Sequence, residues 1–216
     1  MNIQDALRES LKSTENVFDA LSTIIGNARE RPAHTIQELK EKNTKLIGDL
    51  WEELCKLYLQ QKGYDAKFIH ECSSEERQIL KLNKQDVGID IIAYKDNQVY
   101  AIQCKYRSKT IDKMKRTVHR VNWRDVSTFI ALCTTTGPYA KHIVMTNADY
   151  VTRYGHKSEK DQTIAKKTFQ NESREFWSRC LGTTIQTPTT HVTQTNTTSV
   201  EDLREKRQAW LNTLNK

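Results

Sequence analysis

The sequence predicts an α/β fold in which a mixed β-sheet is flanked by helices and preceded by a helical N-terminal extension. Apolar residues recur at helical spacing through the first 62 of the 216 residues. Between residues 66 and 105 they form short β-prone runs instead. Helical spacing returns after residue 123 and alternates with one more β-prone run, an order typical of a sheet with helices on its faces.

The first helical pattern covers residues 2–25 and is interrupted by Pro32. A charged helical stretch follows at residues 36–42, and a stronger one at 47–62 ends at Gly63, a residue that favours helix termination.

Three strands are predicted next. The first covers residues 66–70, and a polar loop over 71–85 separates it from a second strand at 89–94. A turn at 95–97 then connects to the third strand at 99–105, so these last two strands form a hairpin.

The remaining elements are a basic segment at 106–120, a helix at 123–133, a buried strand at 142–146 and one or two helices within 160–180. The stretch after residue 182 is rich in threonine and has no apolar periodicity, which favours a linker or disordered tail before an amphipathic C-terminal helix. The predicted segments are a helical extension at 1–45, a main α/β domain at 46–182, a linker at 183–199 and a C-terminal helix at 200–216.

Composition narrows the class of protein. The 34 Lys and Arg residues outnumber the 27 Asp and Glu residues, and a net charge of +7 suits a polyanionic partner. The five cysteines lack CxxC spacing, which argues against a disulfide framework and a structural zinc site. With no long apolar run and a polar N-terminus, we expect an intracellular protein, cytoplasmic or nuclear.

The hairpin brings three polar side chains together. Asp90 opens its first strand, and Gln103 and Lys105 lie near the end of its second, so antiparallel pairing places them side by side. Alternation puts Gln103 and Lys105 on one face, while Ile102 and Cys104 point to the other.

This set suits phosphodiester hydrolysis. Hard oxygen ligands bind a divalent cation, which neutralises the scissile phosphate and lowers the pKa of a bound water. The oxygens of Asp90 and Gln103 and the backbone carbonyl of Cys104 are the candidate ligands. Lys105 is placed to orient the water or stabilise developing charge. Glu52 and Glu53 flank the apolar arc of the helix at 47–62 on opposite sides, and spacing leaves open which one faces the site.

Three stretches resemble the Mrr-like restriction endonucleases of the PD-(D/E)xK nuclease superfamily. WEELCKLYLQQKGY, from Trp51, is similar to that family's first helix, and IVMTNADYVT to a later strand and turn. QDVGIDIIAY followed by YAIQCKYR resembles its GxD and QxK active-site signature.

The resemblance implies a restriction-endonuclease-like fold and a DNA endonuclease that uses Mg²⁺ or Mn²⁺. It assigns catalytic positions to Glu52, Asp90, Gln103 and Lys105, with Glu52 joining the metal ligands. The glutamine in QxK is the form that this family uses, so it is compatible with activity.

A basic run follows the predicted catalytic strand. A solvated charged face and a phosphate-contacting surface are both open interpretations of it. The candidate DNA-binding residues are Arg107, Lys109, Lys113, Lys115, Arg116 and Arg120.

Other polar and aromatic residues have simpler interpretations. Asp86 is read as a turn residue, and the Cys104 thiol is predicted to face the core rather than act as a nucleophile. The other residues expected to be structural or on the surface are His119, His142, His156, Trp123 and Trp177.

The main rival function is a DNA-binding or junction-recognising module on the same fold, without cleavage. Another is the N-terminal nuclease module of a larger helicase or ATPase, either fused or associated, because the threonine-rich linker followed by a new helix at Val200 fits a fragment boundary. The sequence has no GxxxxGK[ST] loop of its own. A homodimer would serve an enzyme that cuts both strands or resolves junctions.

Overall fold

The computed structural model of the chain describes residues 1–29, 32–82, 88–152 and 158–182. The helices are α1 (Ile3–Lys12), α2 (Val17–Gly26), α3 (Ile36–Gln61), α4 (Ser74–Ile79), α5 (Ser127–Thr135), α6 (Lys166–Gln170) and α7 (Arg174–Arg179). The strands are β1 (Asp65–Phe68), β2 (Ile91–Lys95), β3 (Gln98–Lys105), β4 (Thr110–Ile111), β5 (Thr117–Val118), β6 (Arg120–Val121), β7 (Lys141–Thr146), β8 (Tyr150–Val151) and β9 (Asp161–Ile164).

A five-stranded mixed sheet has the strand order β1-β2-β3-β7-β9. Strands β1, β2 and β3 pair antiparallel, whereas β3, β7 and β9 pair in parallel. The β2–β3 turn uses positive φ angles of 50° at Asp96 and 59° at Asn97, as tight hairpin turns require. The mixed sheet, the hairpin and the buried strand at 142–146 confirm the sequence predictions.

Alternating side chains give the sheet two packed faces. Ile91, Ile102 and Met145 belong to one core cluster together with residues of α1, α2 and α3. Ile92 and Val144 point the other way into a second cluster, which includes Phe129 of α5. The helices therefore cover both faces of the sheet.

The N-terminal helices are part of the first cluster. Phe18 of α2 is fully buried and stacks on Phe169 of α6 with ring centroids 4.9 Å apart. Trp51 of α3 contacts both rings edge-on, at 6.1 and 5.6 Å. The predicted extension is thus packed onto helices α3 and α6 by large aromatic side chains, which contribute strongly to burial.

Two predicted helical boundaries were wrong. The pattern at 2–25 is two helices, because Asn16 caps α2 by accepting a hydrogen bond from the Phe18 amide. Conversely, the stretches at 36–42 and 47–62 form the single helix α3, since no proline interrupts residues 43–46. The expected boundary at residue 45 therefore falls inside a continuous helix.

Three predicted segments need correction. The polar loop at 71–85 contains α4, whose start is fixed by a capping box between Ser73 and Glu76. The region at 160–180 begins with strand β9, which pairs with β7, before its two helices. The basic segment at 106–120 contains the β4–β5 hairpin and β6.

Other predictions lie outside the described residues: Asp86, His156, the threonine-rich linker and the C-terminal helix. No helix among the described residues is long and apolar enough to cross a membrane.

Candidate active site

The candidate site lies at the sheet edge where β3 ends and β2 begins. Asp90 directly precedes β2, and its amide donates to the Ile102 carbonyl at 2.9 Å. Its carboxylate Oδ2 then accepts a hydrogen bond from the Cys104 amide at 2.6 Å. This second hydrogen bond fixes the Asp90 carboxyl group against β3.

Gln103 and Lys105 lie on β3 beside Asp90, as predicted. Gln103 is only 3% exposed, and its Oε1 has no hydrogen-bond partner among the described residues. An unpaired buried carbonyl oxygen costs about 1–3 kcal/mol unless a ligand satisfies it. Lys105 is half-buried, and its backbone carbonyl accepts from the Thr146 hydroxyl of β7 at 2.7 Å.

Gly88 allows the chain to pass close to this glutamine. It adopts a φ of +133°, which side chains other than hydrogen rarely permit. A Cβ there would lie 3.5 Å from the Phe129 backbone and 3.8 Å from Gln103 Nε2. The glycine of the GxD motif thus sits between α5 and the candidate site.

Glu52 is the carboxylate that α3 directs to the site. Burial, together with the negative charges of Asp90 and Asp49, raises its pKa to about 7 against the lowering effect of Lys105. Glu53 is exposed and interacts electrostatically with Lys56 instead. Of the two glutamates, Glu52 is therefore the one within electrostatic reach of Asp90.

The pKa of the Asp90 carboxyl group is subject to opposing effects. Burial raises its pKa, whereas the hydrogen bond from the Cys104 amide and the charge of Lys105 lower it. Two carboxyl groups within electrostatic reach of one another, in a partly dry setting, hold a proton more tightly than isolated ones. A cation between them would remove that cost.

The donor chemistry fits a hard divalent cation. The two carboxylates and the unpartnered Gln103 oxygen are the ligand types that Mg²⁺ and Mn²⁺ prefer. Within the described ranges, no three His, Cys, Asp or Glu side chains are grouped to hold a metal. The candidate ligands here are therefore two carboxylates and one amide oxygen.

The Cys104 thiol points into the core, as predicted. It is buried in the first cluster next to Cys55 of α3, and burial raises the pKa of both thiols. Protonated thiols are poor nucleophiles, so this cysteine supplies only backbone groups to the site.

The predicted DNA-binding residues are divided into paired and unpaired cations. Arg107 forms an ion pair with Asp125 at 3.0 Å, and Arg116 pairs with Asp112 at 2.8 Å. The others are exposed and form no ion pair with the described residues: Lys109, Lys113, Lys115 and Arg120.

The histidines and tryptophans have structural contacts. His142 donates from Nδ1 to Asp161 at 3.0 Å, and buried His119 contacts the Arg107 carbonyl at 2.8 Å. Trp177 is fully buried, while Trp123 is half-buried against the second cluster.

Two features were missed by sequence reasoning. Asn147, just after β7, holds the segment beyond Lys105: its Oδ1 accepts from the Arg107 amide at 2.7 Å, and its Nδ2 donates to the Arg107 carbonyl at 2.9 Å. The polar Thr-Asn pair that ends the apolar run IVM was the available signal. Asp49, one turn before Glu52, was also overlooked.

Comparison with known proteins places the chain in a family. A family model described as "Restriction endonuclease", of the Mrr catalytic type, matches residues 59–179, which is more than half of the chain. The match contains Asp90, Gln103 and Lys105, and it begins after Glu52. No curated protein matches the chain. The chain therefore belongs to the Mrr-type restriction endonuclease family.

Proposed function

We propose that the chain is a metal-dependent endodeoxyribonuclease that hydrolyses DNA phosphodiester bonds at the edge formed by Asp90, Gln103, Lys105 and Glu52. Family membership supports a DNA-cleaving hydrolase. The observation that carries the finer proposal is the buried Gln103 oxygen without a partner beside two carboxyl groups and a lysine.

Asp90, Glu52 and the Gln103 side chain would hold Mg²⁺ or Mn²⁺, together with the Cys104 carbonyl. When bound, the cation supplies charge neutralisation at the scissile phosphate and acidifies a water molecule. The Cys104 amide keeps the Asp90 carboxylate in place, so its oxygens are preorganised.

Lys105 would act beside the metal ligands rather than bind the cation. Its ammonium group lies within electrostatic reach of Glu52 and Asp90, at the end of the strand that leads to the basic segment. We assign it to orienting the attacking water and stabilising negative charge on the phosphorus oxygens. The exposed lysines beyond it would contact the DNA backbone.

Cleavage of both strands by one site per chain calls for two copies, so a homodimer on DNA is part of this proposal. Sedimentation of the protein with and without a duplex tests this separately from activity. An associated helicase or ATPase would be detected as ATP-stimulated cleavage.

The proposal is tested by incubating the wild-type chain with supercoiled and linear DNA in Mg²⁺ or Mn²⁺. Asp90→Asn keeps an acceptor for the Cys104 amide, and Lys105→Ala removes the side chain beyond Cβ, including the ammonium group. We expect both variants to lose at least about 10²-fold in rate, and EDTA to abolish cleavage. Glu53→Gln, one residue from Glu52 but exposed, should cleave like wild type.

If the wild-type chain binds DNA but cleaves none of these substrates, the catalytic assignment fails. The non-cleaving DNA-binding or junction-recognising module then becomes the better account.

A further inference from the structure

The segment after β3 projects a small, well-ordered hairpin. Strands β4 and β5 are joined by a turn that one side chain organises. Asp112 Oδ1 accepts from the amides of Met114 and Arg116 at 2.8 and 2.9 Å, and its Oδ2 accepts from Arg116 Nε at 2.9 Å. Lys115 has a φ of +58°, which completes the tight turn. The tip of the hairpin therefore has a defined shape.

This hairpin displays apolar side chains to water. Ile111 is 74% exposed and Met114 is 73% exposed, although both are large enough to belong in a core. Elsewhere in the described residues, the large apolar side chains left exposed are Met1, Ile36 and Tyr150. Neither Ile111 nor Met114 belongs to a core cluster of the described residues, so both side chains are available for a contact outside the chain.

Positive charges surround these apolar residues. Lys109, Lys113 and Lys115 are exposed and form no ion pair with the described residues. Arg120 is also exposed, and it lies opposite Tyr150 in the parallel pairing of β6 and β8. Asp112 is bonded to Arg116 within the turn, so it does not neutralise the lysines.

The hairpin is tied to the candidate active site. Strand β4 begins five residues after Lys105, the last residue of β3, and β8 follows the parallel strand β7 at the same end of the sheet. Arg107, at the base of the hairpin, is held by Asn147 through two backbone hydrogen bonds and by Asp125 through an ion pair. A ligand that contacts the hairpin is therefore positioned relative to Asp90.

We infer that the β4–β5 hairpin enters a groove of duplex DNA, with Lys113 and Lys115 on the flanking phosphates and Ile111 and Met114 against the sugars and base edges. Apolar wedges framed by cations are a recurrent means of opening a base step and bending a duplex. The apolar area of two side chains is far below the roughly 800 Å² per partner of a stable protein interface. This inference rests on DNA as the substrate of the proposed function.

The first test compares two double variants with the same chemical changes. Ile111→Gln with Lys113→Gln alters the hairpin. Ile36→Gln with Lys40→Gln alters an equally exposed isoleucine (75%) and an exposed lysine on α3. Ile36 precedes Glu52 by 16 residues, so it lies about 24 Å away along the helix axis.

Binding of each protein to a fluorescent duplex is measured by anisotropy in EDTA, at several salt concentrations between about 50 and 200 mM. We expect the hairpin variant to bind about tenfold more weakly, since it loses one apolar contact. Its slope of log affinity against log salt should fall by about one for the lost phosphate contact. The α3 variant should match wild type in both respects.

A second measurement isolates the wedge. Resonance energy transfer between dyes on the duplex ends reports bending, and we expect Met114→Gln to reduce the bend while the salt slope stays as in wild type. All of these positions are exposed, so unchanged melting temperatures verify folding.

Hairpin variants that bind and bend DNA as wild type does would overturn the inference. If they bind normally while the wild-type chain cleaves DNA in Mg²⁺, the hairpin assignment fails and the proposed function stands. If they lose binding while the wild-type chain never cleaves, the hairpin assignment stands and the proposed function fails. Hairpin-dependent binding to phosphatidylserine vesicles but not to DNA would assign the surface to a membrane and contradict the inference.

Discussion

The two ends of the parallel strand pair β3–β7 both carry buried polar side chains, and they differ in how those groups are satisfied. At the start of β7, His142 bonds Asp161 of β9, whose other oxygen accepts from the Ser158 amide at 3.3 Å. At the end of β3, the Gln103 oxygen has no described partner, and Glu52 has a pKa of about 7. The polar groups at the start of β7 are hydrogen-bonded to one another. The oxygens at the end of β3 would instead be satisfied by a bound cation.

The difference teaches how to separate structural polar groups from functional ones. A buried pair that satisfies itself contributes to a single packed arrangement. An unsatisfied oxygen next to two carboxyl groups lowers stability in the absence of a ligand, and such sites cluster where chemistry occurs. Substitutions at the two ends should therefore have opposite effects on stability and activity.

The largest expected effect is at Gln103. Gln103→Leu introduces a side chain of similar volume that lacks the candidate ligand oxygen. We expect kcat/KM for DNA cleavage to fall at least about 10²-fold. Gln103→Glu supplies a carboxylate oxygen in its place and should retain cleavage. Equal activity in Gln103→Leu and wild type would show that this oxygen is not a ligand.

His142→Leu should lower stability but not activity, the opposite of what is expected for Gln103→Leu. His142→Leu removes one hydrogen-bond partner of the buried Asp161 carboxyl, so the free energy of unfolding should fall by about 1–3 kcal/mol. Gln103→Leu should leave it unchanged or raise it by about 1 kcal/mol, because an unpaired oxygen is removed. Urea unfolding in EDTA measures both, and cleavage per folded molecule should be normal in His142→Leu. A destabilised Gln103→Leu protein would contradict the comparison.

A smaller effect is expected from pH. The pKa of Glu52 is about 7 in the folded chain and near its ordinary 4.5 in the unfolded chain. Because the folded state holds this proton more tightly, the contribution of Glu52 to stability is fully present below pH 4.5 and is lost as the pH rises through 7. After allowance for solvent screening of this half-buried side chain, the metal-free wild type should lose about 1–2 kcal/mol relative to Glu52→Gln between pH 4.5 and 8.

Urea unfolding at several pH values in EDTA checks this prediction. Glu53→Gln keeps the Glu52 carboxyl, so it should follow the wild-type pH dependence. Parallel pH curves for wild type and Glu52→Gln would refute the assigned environment of Glu52.

Much of the sheet could be predicted from the sequence because β-branched runs and the Asp96-Asn97 turn are local signals. Strand β9 was missed because its residues pair with β7 across the sheet, a tertiary effect that has little trace in its own sequence. Helix α3 was divided at residue 45 because its first half is polar and lacks the apolar periodicity of the second.

For the site, hairpin geometry was sufficient to bring Asp90, Gln103 and Lys105 together. The choice between Glu52 and Glu53 was beyond sequence spacing, because it depends on how α3 rotates against the sheet. Asn147 and Asp49 could not be ranked either, since their proximity arises only after β7 and α3 pack. The paired state of Arg107 and Arg116 likewise depends on partners fixed by the fold.

The most direct test of the central claim is Mn²⁺ binding, followed by electron paramagnetic resonance without any DNA. We predict that wild type, His142→Leu and Glu53→Gln bind a single Mn²⁺ with similar affinity. Asp90→Asn and Gln103→Leu should bind it at least about tenfold more weakly. Undiminished Mn²⁺ binding by both of these variants would contradict the account, because the cation would then be held elsewhere.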